Sequence, residues 1–294
     1  MKRIFIVFIL SLITVIAMSS DKYKFHRRFV ERFNKPTSKY FNISWRKSGV
    51  DNRYFQGIDS PTERRTKIML YLIDPEDPAG PGRGPEIISK NFTHFGVYSV
   101  RIRVPDVAKT QPNIGAVVGY FTYFDSIAGI SEIDFEWLLA DPEIVYVGTW
   151  TGDVENPQRV GRTINLAKGI IYHTVFEHGS TLYSLEGVQN QPETIKPIEN
   201  YNASSQFYTY GFEWYPDRVR WWIIHPVTSE KIVLWDYSGS TVGIPQGQSR
   251  YRVNFWHTHN WSVETKPNST EKPLYPYEVE IDWVSYTPYK RLKK

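Results

Sequence analysis

Residues 132–136 read Glu-Ile-Asp-Phe-Glu, three carboxylates at alternate positions with apolar residues between them. On a β-strand successive side chains point to opposite faces. Glu132, Asp134 and Glu136 therefore share one face, while Ile133 and Phe135 enter a core on the other. No Lys or Arg lies among the three, so they repel one another and at least one should hold its proton above the usual carboxyl range. An arrangement that destabilises its own strand points to a site. Glu132 and Glu136 have Cα atoms roughly 13 Å apart at about 3.3 Å per residue. Side chains leaning together would bring the carboxyl groups to roughly 5–6 Å, near the about 5–5.5 Å at which one carboxylate attacks a sugar and the other donates a proton. Asp134, between them, could hydrogen-bond the nucleophile. A solvated acidic strand could carry the same five residues, and the surrounding sequence decides between the two.

Composition narrows the setting. The 294 residues carry a net charge of +4, much of it at the two ends, and no basic stripe suggests nucleic acid. Aromatic residues make up 16% of the chain, including 10 Trp and 20 Tyr. Such residues favour strands. Most must pack a core, leaving a subset to line a groove and stack on sugar rings. Lys2 and Arg3 precede an apolar run from Ile4 to Met18, too short for a membrane span of about 20 residues. Residues 1–19 are expected to be a signal peptide. Residues 20–294 are then expected to form one catalytic domain, secreted and extracellular after cleavage, monomeric and free of the membrane, with an uncleaved anchor as the alternative. Cysteine is absent, so thiol chemistry and Cys-based metal sites are excluded. Sequons at Asn42, Asn91, Asn202, Asn260 and Asn268 suit a glycosylated secretory product.

Helical periodicity is nearly missing, and short strand patterns recur between turn signals, which predicts a β-sandwich or jelly roll. A first edge strand is expected within residues 21–45. Strands are expected at 67–73, 95–104, 116–123, 145–151, 162–166, 171–177, 208–214, 219–224, 233–237, 250–256 and 279–286, besides the carboxylate strand. Residues 74–85, rich in Pro and Gly, read as a loop, and 189–205 as a polar loop.

Several blocks resemble glycoside hydrolase family 16, and within it the lichenase-like β-glucanases. They are Gly119-Tyr-Phe-Thr-Tyr123, Ser131-Glu-Ile-Asp-Phe-Glu-Trp137, Tyr208-Thr-Tyr-Gly-Phe-Glu-Trp-Tyr-Pro-Asp217 with Arg220-Trp-Trp222, Arg252-Val-Asn-Phe-Trp256, and Pro273 to Tyr286. The resemblance runs from about Glu86 to Tyr286. It implies a concanavalin A-like jelly roll whose concave sheet forms an open cleft. Glu132 would be the nucleophile, Glu136 the general acid/base and Asp134 their assistant, with Glu132 ionised and Glu136 protonated. Glu86, Tyr123, Trp150, Asn254 and Trp256 are implied as substrate-binding residues. The chain departs from the pattern at Ile88, where an arginine is expected, and at Ile130, Gly148 and Tyr208.

Glu278, Glu280 and Asp282 repeat the alternating carboxylates, but the resemblance makes that strand structural. It implies Asp282 as a calcium ligand on the convex side, although no dense group of acids accompanies it. No cofactor is required for the chemistry. His257 and His259 share a face without an evident third zinc ligand. The expected function is a retaining endo-β-glucanase acting on β-1,3-1,4- or β-1,3-glucan. The carboxylate strand lacks the extra residue that bulges it in other branches of the family. A wall transglycosylase of the same family would use the same intermediate but usually carries disulfides. A glucan-binding lectin would usually have lost a catalytic glutamate.

Overall fold

The computed structural model describes residues 24–33, 37–44, 52–55, 68–72, 85–239 and 242–289. The expected signal peptide and nearly all of the Pro/Gly-rich loop lie outside them. Strands run as β1 (Phe29–Glu31), β2 (Phe41–Ser44), β3 (Asn52–Phe55), β4 (Ile68–Leu72), β5 (Glu86–Ser89) and β6 (Gly96–Arg103). The central group is β7 (Ala116–Ser126), β8 (Gly129–Leu138), β9 (Ile144–Asp153), β10 (Asn156–Asn165), β11 (Ile170–His178) and β12 (Thr181–Ser184). Then come β13 (Tyr208–Trp214), β14 (Val219–Ile224), β15 (Lys231–Tyr237), β16 (Arg250–His257) and β17 (Glu278–Pro288). Among the described residues the sole helix is a single 3-10 turn at Gly187–Asn190. No helix there is long and apolar enough to cross a membrane.

The strands form two antiparallel sheets, an all-β sandwich of the jelly-roll kind. One runs β12-β11-β10-β9-β8-β7-β16-β5-β2, and the other β15-β14-β13-β6-β17-β4-β3 with β1 on β17. The carboxylate strand β8 is thus central, with four described strands on either side. Its back face supplies Ile133, Phe135 and Trp137, all fully buried in one core shared with the second sheet. Four tryptophans, Trp137, Trp214, Trp221 and Trp235, are fully buried there, as the strand-rich aromatic content predicts. Trp221 stacks on Trp235 with ring centres 5.1 Å apart, and its indole N–H donates across the sandwich to the Asp134 carbonyl at 2.8 Å.

A two-residue connection, Ile127-Ala128, joins β7 to β8, with Ser126 paired to Gly129. Gly129 has φ of +101°, and a Cβ there would meet the Gly152 carbonyl at 2.7 Å. Glycine fits both constraints. Residues 189–205 are not simply a polar loop. Ile195, Ile198, Tyr201 and Ala203 are buried against the core. The fully buried Arg162 side chain donates to the carbonyls of Pro192 and Leu234 and to Asn190. Burial lowers its pKa to about 9.

The second acidic strand, β17, lies in the opposite sheet. Glu280 pairs with Arg103, and Asp282 is fully buried against the Arg101 guanidinium. A cation already neutralises Asp282. Among the described residues no group of three His, Asp or Glu could hold a metal, at His257 and His259 or elsewhere. Among the described residues no donor set at Asp282 fits a calcium ion.

Arg101→Ala should therefore strand a buried carboxylate and cost about 3–5 kcal/mol of stability. Thermal melts of that variant, and of the unaltered protein with and without a chelator, check this. The chelator is expected to leave the melting temperature unchanged.

Candidate active site

Cross-strand partners share a face of a sheet, so the ladders around β8 place the residues of the acidic face in rows. One row is Tyr123, Glu132, Trp150, Arg159 and Glu177. The next is Arg252, Phe121, Asp134, Gly148 and Gly161. The third is Glu86, Asn254, Gly119, Glu136, Tyr146, Thr163 and His173. Neither ladder of β8 shifts register between Glu132 and Glu136, so the strand is unbulged.

The glycines make room. A Cβ on Gly148 or Gly161 would come within 2.4 Å of the Tyr146 hydroxyl, so the Tyr146 ring lies across both. A Cβ on Gly119 would meet Asn254 Oδ1 at 2.5 Å, which shows that Asn254 reaches over Gly119 toward Glu136. An open groove of about 640 Å³ results, lined by all three carboxylates with Ile130, Tyr146, Trp150, Pro157, Arg159, Glu177, Trp256, Thr258, Asn260 and Trp261. The segment after β16 walls one side. Trp261 packs edge-on against Tyr146 at 5.2 Å, and Thr265 hydrogen-bonds Asp141.

Burial raises the pKa of all three acids, and repulsion from neighbouring carboxylates adds to it at Glu132 and Asp134. Glu132 is pushed up to about 8 by burial and by Glu136, with Arg252 opposing. Glu136 is pushed up to about 7 by burial, with a hydrogen bond from Trp256 and the charge of Arg159 opposing. Asp134 rises well above its usual range through burial and both neighbours, and its Oδ2 is buried without a hydrogen-bond partner. The two glutamates come out in the opposite order to the one their implied roles require. Glu136 receives relief from two groups and Glu132 from one. Such a pair shares its protons, and its titration steps belong to both members.

The structure brings Glu132, Asp134, Glu136, Trp150 and Trp256 to the groove. Tyr123 and Asn254 flank it on β7 and β16. Glu86 is buried and hydrogen-bonded to Arg252 at 2.9 Å, so it holds the arginine and does not line the groove. Arg252 is the cross-strand partner of Ile88, the position where the resemblance implies an arginine. The sequence reading missed Tyr146, although it shares the alternation of Trp150. It also missed Arg159 and Glu177 as site residues. Arg159 precedes the strand expected to start at residue 162, whereas β10 begins at Asn156.

Residues 37–285 match the family model for Glycosyl hydrolases family 16, reaching well before Glu86. A "Beta-glucanase" of Brevibacillus brevis is 32% identical over 256 residues, 83% of this chain and 77% of that protein. A "Beta-glucanase" of Paenibacillus polymyxa is 22% identical over 253 residues, 84% and 77% of the two chains. The solved structure of a prokaryotic β-1,3-1,4-glucanase (lichenase) derived from a mouse hindgut metagenome aligns with TM-score 0.52 and 20% identity. It covers 90% of this chain and 100% of that one, a likeness of fold.

Two outcomes are expected. Gly161→Ala displaces the Tyr146 ring and should cost about 1–3 kcal/mol, with Tyr146→Leu restoring much of the loss, as denaturant melts would show. The raised glutamates make the folded chain bind more protons than the unfolded one from about pH 4.5 to 8, so stability falls as pH rises through that window. Glu132→Gln removes part of that loss. Its melting temperature should gain on the unaltered protein more at pH 8 than at pH 4.5.

Proposed function

The chain belongs to glycosyl hydrolase family 16 and is a glycoside hydrolase. From that premise we propose that it is a secreted, retaining endo-β-glucanase acting on β-1,3-1,4- or β-1,3-linked glucan. One observation carries the reading: Glu132 and Glu136 project from the same face of an unbulged central strand into an open groove, with Asp134 between them. An open groove suits attack within a long chain. The name β-glucanase carried by the bacterial relatives supports a β-glucan as substrate.

Glu132 attacks the anomeric carbon while Glu136 donates its proton to the departing glycosidic oxygen, leaving a glycosyl ester on Glu132. Glu136, now ionised, takes a proton from water, which attacks the same carbon and frees Glu132. Two displacements retain the β configuration. Of the singly protonated forms of the pair, the one with the proton on Glu136 is productive. Asp134 lies between them and adds its own repulsion, favouring that sharing of one proton. Trp150 and Trp256 offer ring faces to the pyranose units, with Tyr123 beside them. The bilobed use of one groove by two carboxylates requires no metal-bound water. Residues 1–19 would direct secretion, and Asn42 and Asn268 are exposed sequons outside the groove lining that a secretory pathway could glycosylate.

The test is reducing-sugar release from barley β-glucan, laminarin, xyloglucan and chitin. Release from the first or second, with the β-anomer appearing first by NMR, is the expected result. Binding without release from any of the four would overturn it. A labelled acceptor oligosaccharide separates hydrolysis from transfer, since products longer than the donor mean transfer. Glu136→Gln should lower kcat on the unactivated polysaccharide about 10²–10⁴-fold.

A further inference from the structure

Charge is spread unevenly along this chain. Residues 22–47 hold nine Lys and Arg against one acid, Glu31, although the whole protein carries only +4. The fold draws the described members of this stretch to one edge. The Phe92 N–H donates to the Lys24 carbonyl, and the His26 N–H to the Phe92 carbonyl, each at 2.8 Å. The His26 ring accepts from the Asn91 N–H at 3.1 Å and stands against Tyr40 with ring centres 5.8 Å apart. Lys39 lies over the Tyr40 ring, 5.6 Å from its centre. The Tyr40 carbonyl takes the Lys90 N–H, while Lys90 Nζ donates to the Ser38 carbonyl at 2.7 Å. Arg250 lies over Phe92, 4.5 Å from the ring centre, and donates to the carbonyls of Ser89 and Lys90. Lys24, Lys39, Lys90 and Arg250 thus belong to one connected set of contacts, with Arg27 and Arg28 directly after His26.

The set is exposed and unneutralised. Lys24, Arg27, Arg28, Lys39 and Lys90 face solvent, and Arg250 is half-buried. Among the described residues none of the six forms an ion pair with a carboxylate. Glu31 is buried, and it accepts from the Ser38 hydroxyl and the Phe33 N–H. The edge belongs to the sheet that forms the groove. Arg250 is the cross-strand partner of Tyr123, itself the partner of Glu132. Two strand spacings, about 10 Å, therefore separate Arg250 from the nucleophile's position.

We propose that this β2–β5–β16 edge is a docking surface for an acidic polysaccharide, a polyuronate, which holds the protein on a composite matrix while the groove cuts the neutral glucan beside it. The purpose of the surface rests on the glucan-cleaving reading above; its binding chemistry does not. Guanidinium groups take carboxylates through paired hydrogen bonds, and ammonium groups add point charges. Phe25, 48% exposed, and the half-buried Tyr40 set ring faces among the cations, and a uronate ring brings an apolar face as well as its carboxylate. Non-specific nucleic-acid grooves rely on successive stacking rings, and anionic membranes on a broad apolar face beside the charge. Here cations outnumber exposed rings, which suits a polymer with one carboxylate on each sugar. Tethering on the same layer as the groove raises the effective concentration of neighbouring glucan.

Affinity electrophoresis through gels containing polygalacturonate reads the interaction without turnover. The full chain should be retarded at about 20 mM NaCl and released at about 0.5 M, where screening is strong. Lys24→Gln, Arg27→Gln, Arg28→Gln and Lys39→Gln combined should weaken binding about tenfold. The same variant should keep the kcat/KM of the unaltered protein on soluble neutral glucan. Lys24→Arg, Arg27→Lys, Arg28→Lys and Lys39→Arg combined, which keep the charge, should keep the retardation, and thermal melts check that both variants are folded. Lack of retardation of the unaltered chain would overturn the proposal, as would retardation that survives high salt or the four glutamines. So would binding to single-stranded DNA or to phosphatidylserine vesicles without binding to polygalacturonate. Retardation without sugar release from any glucan would instead sink the functional reading and leave the docking surface standing.

Discussion

Repulsion among Glu132, Asp134 and Glu136 is the constraint to which the rest of the molecule answers. Three acids on one face of one strand, drawn partly out of water, favour either protonation or separation. The strand does not let them separate. Its other face is fixed by Ile133, Phe135 and Trp137 in the core, and ladders on both sides keep continuous register through the acidic stretch. What remains is to raise the proton affinity of the group and bring in compensating charge, and the groove does both. Apolar burial behind the strand and cationic flanks beside it are two responses to the same strain.

The groove face is a sheet stripped of bulk where large groups must lie flat. Gly119, Gly148 and Gly161 occupy positions where side chains would collide with Asn254 or Tyr146. Each glycine gives up strand propensity, and in return a neighbouring polar or aromatic group lies against the backbone. The Tyr146 ring then forms part of the floor, with Trp261 standing edge-on to it. Packing, and the position of the polar atoms that meet a ligand, are decided by the same few residues.

Much of this was legible in the chain. Alternation at 132–136 located the acids, their shared face and the absence of a bulge, and it located the core residues behind them. The tyrosine and tryptophan beside Glu132 were implied by the family resemblance. Arg159 could not, because its strand begins with Asn156-Pro157-Gln158, which lacks an apolar alternation. Arg252 lay inside a block that was read for its Asn and Trp. Its significance depends on ladder pairing with Ile88, which residue order alone does not specify. Asp282 shows the reverse limit. A carboxylate can suggest a cation, but only the fold reveals that Arg101, 181 positions away, is that cation. The 189–205 segment misled through composition, since four anchoring residues suffice to bind an otherwise polar stretch to a core.

The Trp221 hydrogen bond to the Asp134 carbonyl joins the acidic strand to a sheet that never faces the groove. The indole reaches that oxygen only when the two layers are fully docked. Formation of the cleft is therefore tied to closure of the whole sandwich, and a half-assembled chain would carry every reactive side chain without the backbone setting that aligns them. Docking of the two layers is thus the step at which the polypeptide acquires its cutting edge.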